Sequence, residues 1–589
     1  MTKPISFYQS EKSRLEHIGN TLKSQLKFIG LLRTGLFLTL VISSYFLIAQ
    51  TSLLIILLSL GSILFLILVL KYQKIRKKRK LSGHLLDINL EEIQILQGKF
   101  HQFPSGLEFS DSYHYYSNDI DLFGQGSFFQ FLNRTATLSG KSKLASLLLE
   151  NSIDQIELKQ SVVRELSQKV CWRQNFLAQA RMVRNETKPE LIISWIKNHK
   201  AFLPGYMRMV ALIFSSLSLI FLILAAFSVM SFYLLVIWFF GGLMITLPYF
   251  KRINTLYLTS GKIKNTFKQY ESLLSQIESL EINAILAREQ QNKIHSDDKK
   301  ASKIFKEFSN ILDAFDQRNN MLFGILGNGF LLWDIKNTNR IDTWISQYRH
   351  QVEHWFEVIA YFDAQISLSN YVFNHPDHNF STIVKTNQIM EARELGHPLI
   401  HKDQRVSNDY NITEKEFHII TGANMAGKST FLRTVSLALV MTNVGLPVCA
   451  KSMTYSPMKL ITSMRTSDSL KDDSSYFYAE IKRLRFIVES MKNESYFIIL
   501  DEILKGTNSR DKALGSIKFV EKLINSGSSG IIATHDLSLC EIQKKFGQVQ
   551  NKYFDASIQN EELFFDYKLK EGVCKNMNAS FLLKKMEII

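Results

Sequence analysis

Between Leu36 and Ile48, and again between Leu53 and Leu70, the chain carries no charged residue, and only the polar step Ala49-Gln50-Thr51-Ser52 separates the two runs. With Phe28 to Leu32 added, each run reaches the roughly 18 to 20 residues that cross a bilayer as helix. Arg33 interrupts the first span near its end, where a long side chain can snorkel to the headgroups. A second pair follows, from Val210 to Phe227 and from Met230 to Tyr249. Soluble cores seldom hold uncharged runs of this length that end in a basic stop, so four membrane helices in two hairpins are expected. The second span runs into KYQKIRKKRK at Lys71 to Lys80 and the fourth into Lys251-Arg252, whereas both inter-span turns are uncharged. By the positive-inside rule both hairpins enter from the cytoplasm and return to it. That predicts a multi-pass protein of the inner (cytoplasmic) membrane with its soluble parts in the cytoplasm. A long polar stretch precedes the first span, which argues against a cleavable signal peptide.

The 589 residues ask for several domains, and 46% hydrophobic residues exclude a disordered chain. With 27 Gly and 9 Pro, collagenous and low-complexity classes are excluded too. Cys171, Cys449, Cys540 and Cys574 are too scattered for a disulfide framework or a C-x-x-C zinc pair, which suits a reducing compartment. The net charge of +16 is compatible with nucleic acid, with anionic lipid or with plain topology. Seven of its basic residues fall in the ten from Lys71 to Lys80, directly behind a span, so much of the excess reports topology.

The spans divide the chain into an N-terminal segment 1–100 (first hairpin at 28–70, then a basic tail), a helical region 101–205, the second hairpin 206–252, a helical region 253–390 and a final domain 391–589. In the second helical region Trp344, Tyr348, Val352, Trp355, Ile359, Phe362 and Ile366 recur at helical spacing as one apolar face, expected to be packed core. Charges there nearly balance, and the cluster Lys299-Lys300-Lys303-Lys306 is expected to be a solvated helix face. After Glu391 short apolar runs alternate with helices, an α/β pattern. Phe417 to Ile420 reads as a buried strand, Gly422 to Ser429 fits G-x-x-x-x-G-K-[ST], and a helix follows at once. Gly422 and Gly427 let successive N–H groups face a triphosphate, with Lys428 on its β and γ phosphates and the Ser429 hydroxyl on Mg2+. The apolar strand Tyr496 to Leu500 ends in Asp501-Glu502, placing Asp501 to hold Mg2+ through water and Glu502 to orient or deprotonate an attacking water. A third strand, GIIATHD, presents Thr534 and His535, the histidine as a sensor of the γ-phosphate.

Phosphate loop, acidic strand end and histidine strand end come in the order of ABC-type ATPases, and their wording narrows the match. TGANMAGKST at Thr421 to Thr430 closely resembles the TGPNMGGKST loop of the MutS family. SYFYAE at Ser475 to Glu480, DEILKGT at Asp501 to Thr507 and IIATH at Ile531 to His535 resemble its STFMVE, DEIGRGT and LFATH segments. GHPLI at Gly396 to Ile400, VSND at Val406 to Asp409 and YKLKEG at Tyr567 to Gly572 agree as well. FLNRTATLSGKSKL at Phe131 to Leu144 and SLSNYV at Ser367 to Val372 resemble parts of the MutS core domain.

The resemblance implies a C-terminal α/β ABC-type P-loop ATPase domain preceded by an all-α MutS-like core and lever region. It implies a homodimer binding ATP and Mg2+ at composite sites. The nucleotide would be held by Gly422, Ala423, Asn424, Met425, Ala426, Gly427, Lys428, Ser429 and Thr430, with Ser475 completing the partner's site. Lys428, Glu502 and His535 would be catalytic, Ser429 and Asp501 the metal ligands, and ATP would control a clamp on DNA. Departures are Asp473 where the family usually has glycine, Leu504 in place of another glycine, and Arg405 where an aromatic often stacks on adenine. The mismatch-reading domain has no counterpart, Phe305-Lys306-Glu307 matches its wedge by letters only, and the second hairpin interrupts the chain where the lever helices would begin. Three functions follow: a membrane-anchored MutS-like ATPase acting on mismatched or otherwise structured DNA, a membrane tether whose dimerisation ATP gates with little catalysis, and an ATP-driven transporter. Against the transporter, no LSGGQ signature appears and the four spans carry hardly any polar residues.

Overall fold

The computed structural model describes residues 4–183, 187–295, 299–423, 425–465, 476–504, 508–559 and 562–574. Its N-terminal hairpin is two long helices, α1 (Pro4–Phe46) and α2 (Thr51–Leu96), packed along their length. At 1.5 Å per residue the 46 residues of α2 extend about 69 Å, more than twice the roughly 30 Å of a hydrocarbon core. The basic stretch Lys71 to Lys80, expected as a tail, is therefore a rigid continuation of the helix. A Cβ on Gly61 would sit 2.3 Å from Leu40, so this glycine sets how closely α1 and α2 approach.

Short helices α3 (Phe128–Leu132), α4 (Leu138–Leu149), α5 (Ile156–Gln168), α6 (Val170–Ala180) and α7 (Pro189–Asn198) lead to the second hairpin, α8 (Met207–Ala226) and α9 (Phe232–Thr246). A 3-10 turn at Leu247-Pro248-Tyr249 joins α9 to α10 (Phe250–Glu278), where proline removes a helix donor. By length and composition alone, α1, α2, α8 and the continuous stretch Phe232–Glu278 can each cross a membrane. Beyond α11 (Ile285–Asn292) and α12 (Ala301–Asp316), the structure adds an element the sequence pattern did not single out. It is α13 (Met321–Leu331), apolar but for Asn328 and packed on α8 and α9, with Met321 and Leu322 74% or more exposed. Its Gly329 lets the backbones meet: a Cβ on Gly242 of α9 would lie 2.3 Å from the Gly329 carbonyl oxygen.

The aromatic stripe expected as one helix face is shared by two helices, α14 (Trp333–Tyr348) and α15 (Val352–Asn374), with a turn at Arg349-His350-Gln351. All seven stripe residues are buried, and Trp344 stacks on Phe308 of α12 at 3.9 Å. Periodicity did not reveal the break because the turn contains neither glycine nor proline. Helix α15 is buried on nearly every side and organises the segments around it. Asp363 accepts from the Ala136 and Thr137 N–H groups and from the Thr137 hydroxyl at 2.7–3.1 Å, while Ser367 Oγ accepts from the Arg134 N–H at 2.7 Å. Only glycine fits at 140, since a Cβ there would lie 2.1 Å from the Asp363 carboxylate. The two stretches that carried the core resemblance thus meet across more than 220 residues of chain.

The C-terminal part is α/β. A small sheet orders β1 (Thr382–Ile383), β5 (Ser452–Tyr455), β2 (Gln388–Leu395) and β3 (Asn408–Thr413). Because β1 and β2 begin before residue 391, this domain starts upstream of the expected boundary. The main sheet orders β12 (Leu569–Glu571), β9 (Val549–Phe554), β4 (Phe417–Gly422), β8 (Ser529–Ala533), β7 (Tyr496–Asp501) and β6 (Lys459–Ser463), all parallel except β12. A hairpin of β10 (Ser557–Gln559) and β11 (Glu562–Phe564) precedes β12. Helices α16 (Lys428–Asn443), α17 (Tyr476–Ser490), α18 (Ser509–Asn525) and α19 (Ile542–Lys545) complete the domain. Strand β4 is buried at all six positions, as parallel central strands require. The loop before α3 reaches the sheet: Asp119 accepts from Thr462 Oγ at 2.5 Å and from the Arg465 N–H at 2.8 Å.

One buried carboxylate ties the first hairpin to this body. Glu92 of α2 accepts from Arg134 Nε at 2.7 Å and from Asn374 Nδ2 at 2.8 Å, and Asn374 Oδ1 accepts from Tyr8 of α1 at 2.8 Å. Glu92 is 2% and Arg134 6% exposed, so the charges are stable only as a pair. Glu92→Ala is expected to destabilise the protein by about 3–5 kcal/mol by leaving the Arg134 charge uncompensated. Thermal melting of the purified protein checks this, with Glu92→Ala/Arg134→Met expected to recover part of the loss.

Candidate functional site

The carboxyl ends of β4, β7 and β8 lie side by side, and the residues just beyond them converge. The backbone after β4 needs two left-handed turns. Gly422 has φ 154°, and a Cβ there would come 2.7 Å from the Phe554 carbonyl oxygen. Gly427, at φ 102°, caps the N-terminus of α16, where a Cβ would meet the Tyr567 ring at 3.0 Å. Glycine alone tolerates both conditions. Between them Met425 is left-handed at φ 66° and 81% exposed.

Lys428 opens α16 and is 6% exposed; its Nζ donates to the Gly422 and Ala423 carbonyls at 2.8 and 2.9 Å and lies 3.3 Å from His535 Nε2. The next residue, Ser429, donates from Oγ to Asp501 Oδ2 at 2.6 Å. Register places Asp501 beside Ala533 of β8, and the Glu502 N–H donates to the Ala533 carbonyl at 2.9 Å. Glu502 has φ 51°, which turns its carboxylate to His535 Nε2, 2.6 Å away. Nε2 can donate to Glu502 or accept from Lys428, and one tautomer cannot do both. So Lys428, His535 and Glu502 cluster beside the Ser429–Asp501 pair.

A cavity of about 510 Å³ opens over this group. One wall is polar, from Met425 to Thr430 with Glu502 and His535; the other is apolar, with Leu395, Ile400, Val406 and the Tyr567 ring. His397 also faces the cavity, and burial, reinforced by the Arg433 guanidinium, pushes its imidazole down to about 4. It is neutral at physiological pH and adds no charge to that wall. Among the described residues no group of three or more His, Cys, Asp and Glu could hold a metal ion. The oxygen pair Ser429 and Asp501 instead suits Mg2+, which takes one or two protein oxygens and completes its shell with water and phosphate.

The expected residues Gly422, Ala423, Met425, Ala426, Gly427, Lys428, Ser429, Thr430, Asp501, Glu502 and His535 are thus gathered at one place. Asn424, Ser475 and Asp473 lie outside the described residues. Arg405, expected over an adenine, does not line the cavity; its stem packs against Gly396. The aromatic there is Tyr567, which arrives from 140 positions beyond the loop because β12 pairs with β9. Its only sequence signal was its place in the YKLKEG segment. Leu504, where glycine was the expectation, has φ 61°; its N–H donates to the buried Glu480 carboxylate and its side chain rests over Gly515.

Fold and site together define a helix-rich protein with an α/β C-terminal domain built around a strand, a glycine-bounded loop and a helix. Residues 418–585 match the family model of MutS domain V, and in this region the chain is similar to proteins of the MutS family. It is 32% identical over 221 residues to the DNA mismatch repair protein MutS of Thermotoga maritima, covering 37% of this chain and 27% of that protein. It is 31% identical over 203 residues to MutS protein homolog 4 of Homo sapiens, covering 33% and 21%. The chain thus spans about a quarter of the length of these relatives.

Gly422→Ala is expected to lower stability by about 1–3 kcal/mol, because the backbone carbonyl of Phe554 blocks a Cβ in a conformation alanine already disfavours. Gly427→Ala should cost less, since the Tyr567 ring can move aside. Comparing the melting temperatures of the two variants checks the order.

Proposed function

We propose that the protein is a membrane-anchored MutS-type ATPase that binds Mg·ATP at the loop 422–430 and uses it to control a dimeric clamp on DNA. The observation that carries this is the convergence of Lys428, Ser429, Asp501, Glu502 and His535 at the carboxyl edge of one parallel sheet. The loop N–H groups, the N-terminus of α16 and Lys428 bind the phosphates. Ser429 and Asp501 hold the magnesium, which supplies charge neutralisation between the β and γ phosphates when bound. Glu502 orients and deprotonates the attacking water, and His535 holds the Glu502 carboxylate in place. Tyr567 stacks on the adenine. Helices α1, α2, α8 and α9 anchor the chain, with α13 embedded beside the second hairpin. Dimerisation, completion of each site by the partner's signature segment at 475, and DNA as the clamped ligand are supported by the likeness of the C-terminal domain to MutS domain V.

Leu504 favours a second reading, a tether in which ATP gates dimerisation with little turnover. A left-handed leucine costs about 1–2 kcal/mol, and here that strain sits two residues from Glu502. One comparison separates the readings: wild type turning over no faster than Glu502→Ala favours the tether.

For the ATPase, Lys428→Ala is expected to abolish ATP binding, while Glu502→Gln keeps binding and lowers turnover by about 10²–10⁴-fold. Turnover of the detergent-solubilised protein is measured with duplex, mismatched and branched DNA at two salt concentrations. Indifference to every DNA removes the DNA part of the proposal; stimulation that fades steeply with salt supports it. Tyr567→Ala is expected to raise KM for ATP roughly 5- to 150-fold with kcat unchanged, the value of one base–aromatic stack.

A further inference from the structure

A second cavity, of about 970 Å³, lies far from the phosphate loop, between α8, α12 and α14. Its mouth is basic. Arg208 stands in the first turn of α8, Lys336 and Arg340 lie one turn apart on α14, and Lys299 joins them from the start of α12. Among the described residues the only carboxylate that lines it, Glu307, is engaged with Lys299 at 3.0 Å. Arg208 and Lys336 have no carboxylate in ion-pair reach among the described residues, and Arg340 donates only to Asn337 Oδ1, at 3.3 Å.

Away from the mouth the lining changes character. Ala211, Leu212 and Ser215 continue the cavity two turns up α8, on the side of Ile311, while Trp344 lies at the other end of the cavity, beyond Lys336 and Arg340 on α14. Ser215 Oγ donates to the Leu331 carbonyl at 2.9 Å, which fixes the end of α13 beside the third turn of α8. From Arg208 to Ser215 the helix rises about 10 Å, enough to run from the headgroup layer into the hydrocarbon. Basic residues therefore stand where headgroups lie, and an apolar strip of Ala211, Leu212 and Ile311 leads inward beside them within a lining that is otherwise polar.

An occupant must be anionic at one end and apolar at the other, and must enter beside a membrane helix. We propose that this cavity binds an acidic glycerophospholipid of the cytoplasmic leaflet, its phosphate held by Arg208, Lys336 and Arg340 and an acyl chain laid along Ala211, Leu212 and Ser215. The proposal rests on α8 being a membrane span. A nucleic acid backbone would satisfy the mouth but has nothing to place along the strip, and inorganic phosphate would fill the mouth alone. The Lys299 cluster, which reads in the sequence as a solvated face, contributes one residue to this rim.

The test uses the full chain, purified in detergent and reconstituted in phosphatidylcholine nanodiscs with or without phosphatidylglycerol. Native mass spectrometry should detect phosphatidylglycerol retained in preference to phosphatidylcholine. Lys336→Gln/Arg340→Gln should weaken that retention roughly thirty-fold, from the ordinary contribution of two basic residues at an anionic surface. Leu212→Trp, which crowds the strip and leaves the charges, should also displace the lipid, while ATP turnover stays at the wild-type level in both variants. Equal retention of the two lipids, or unchanged retention in both variants, overturns the proposal. So does inorganic phosphate that competes as effectively as the lipid, or duplex DNA binding that falls in the double variant while lipid retention does not. Alkaline carbonate extraction of native membranes reads the span assignment separately. A chain that stays in the pellet without preferring phosphatidylglycerol loses only the lipid site, whereas a chain released to the supernatant loses both.

Discussion

The Glu92 carboxylate is the buried charge on which the joining of the first hairpin to the rest of the protein turns, with Glu91–Arg181 and Asn89–Gln174 beside it. It lies in α2, beyond the apolar run, and is bound by Arg134 from the core and Asn374 from the end of α15. Burying these charges is costly unless each finds its partner, so the network tolerates one arrangement of α1, α2 and α15 and few others. Helix α15 carries that arrangement onward, because it also holds the turn at Ala136 to Gly140 through Asp363 and Ser367.

The phosphate-loop end of the sheet is built with a similar economy. Parallel pairing in the order β4, β8, β7 places three strand ends in a row, and each delivers one or two side chains to the same cavity. Lys428 rests on loop carbonyls and Ser429 on Asp501, so the loop holds its shape through its own side chains. Left-handed backbone at Glu502 and Leu504 adds strain beside the acidic pair. Such strain persists because Glu480, itself buried on α17, takes the Leu504 N–H.

Much of this was legible in the sequence. The apolar runs, the strand–loop–helix at 417–443 and the acidic strand end at 501 are local patterns, and each reappears in the structure at its expected place. Less legible were features set by contacts between distant segments. The stripe from Trp344 to Ile366 reads as one helix face, yet a turn without glycine or proline divides it. Residues 321–331 are too few to span a membrane and escaped notice, although their packing on α8 and α9 marks them as part of the same layer. Arg405 was expected in the cavity and packs on Gly396 instead, while Tyr567 takes the aromatic position.

By itself, the amino-acid sequence determined which segments are too apolar to stand in water, which loop can turn around a phosphate, and where carboxylates end a buried strand. These follow from composition and spacing within a few turns or one strand, so no distant residue is needed to express them. The tertiary structure alone decided that Glu92 meets Arg134, that Tyr567 closes the site begun at Gly422, and that Arg208, Lys336 and Arg340 surround one cavity. Glu92 and Arg134 lie 42 positions apart, Gly422 and Tyr567 145, and Arg208 and Lys336 128, and nothing in local sequence sets the pairing of strands or the crossing of helices that brings them together.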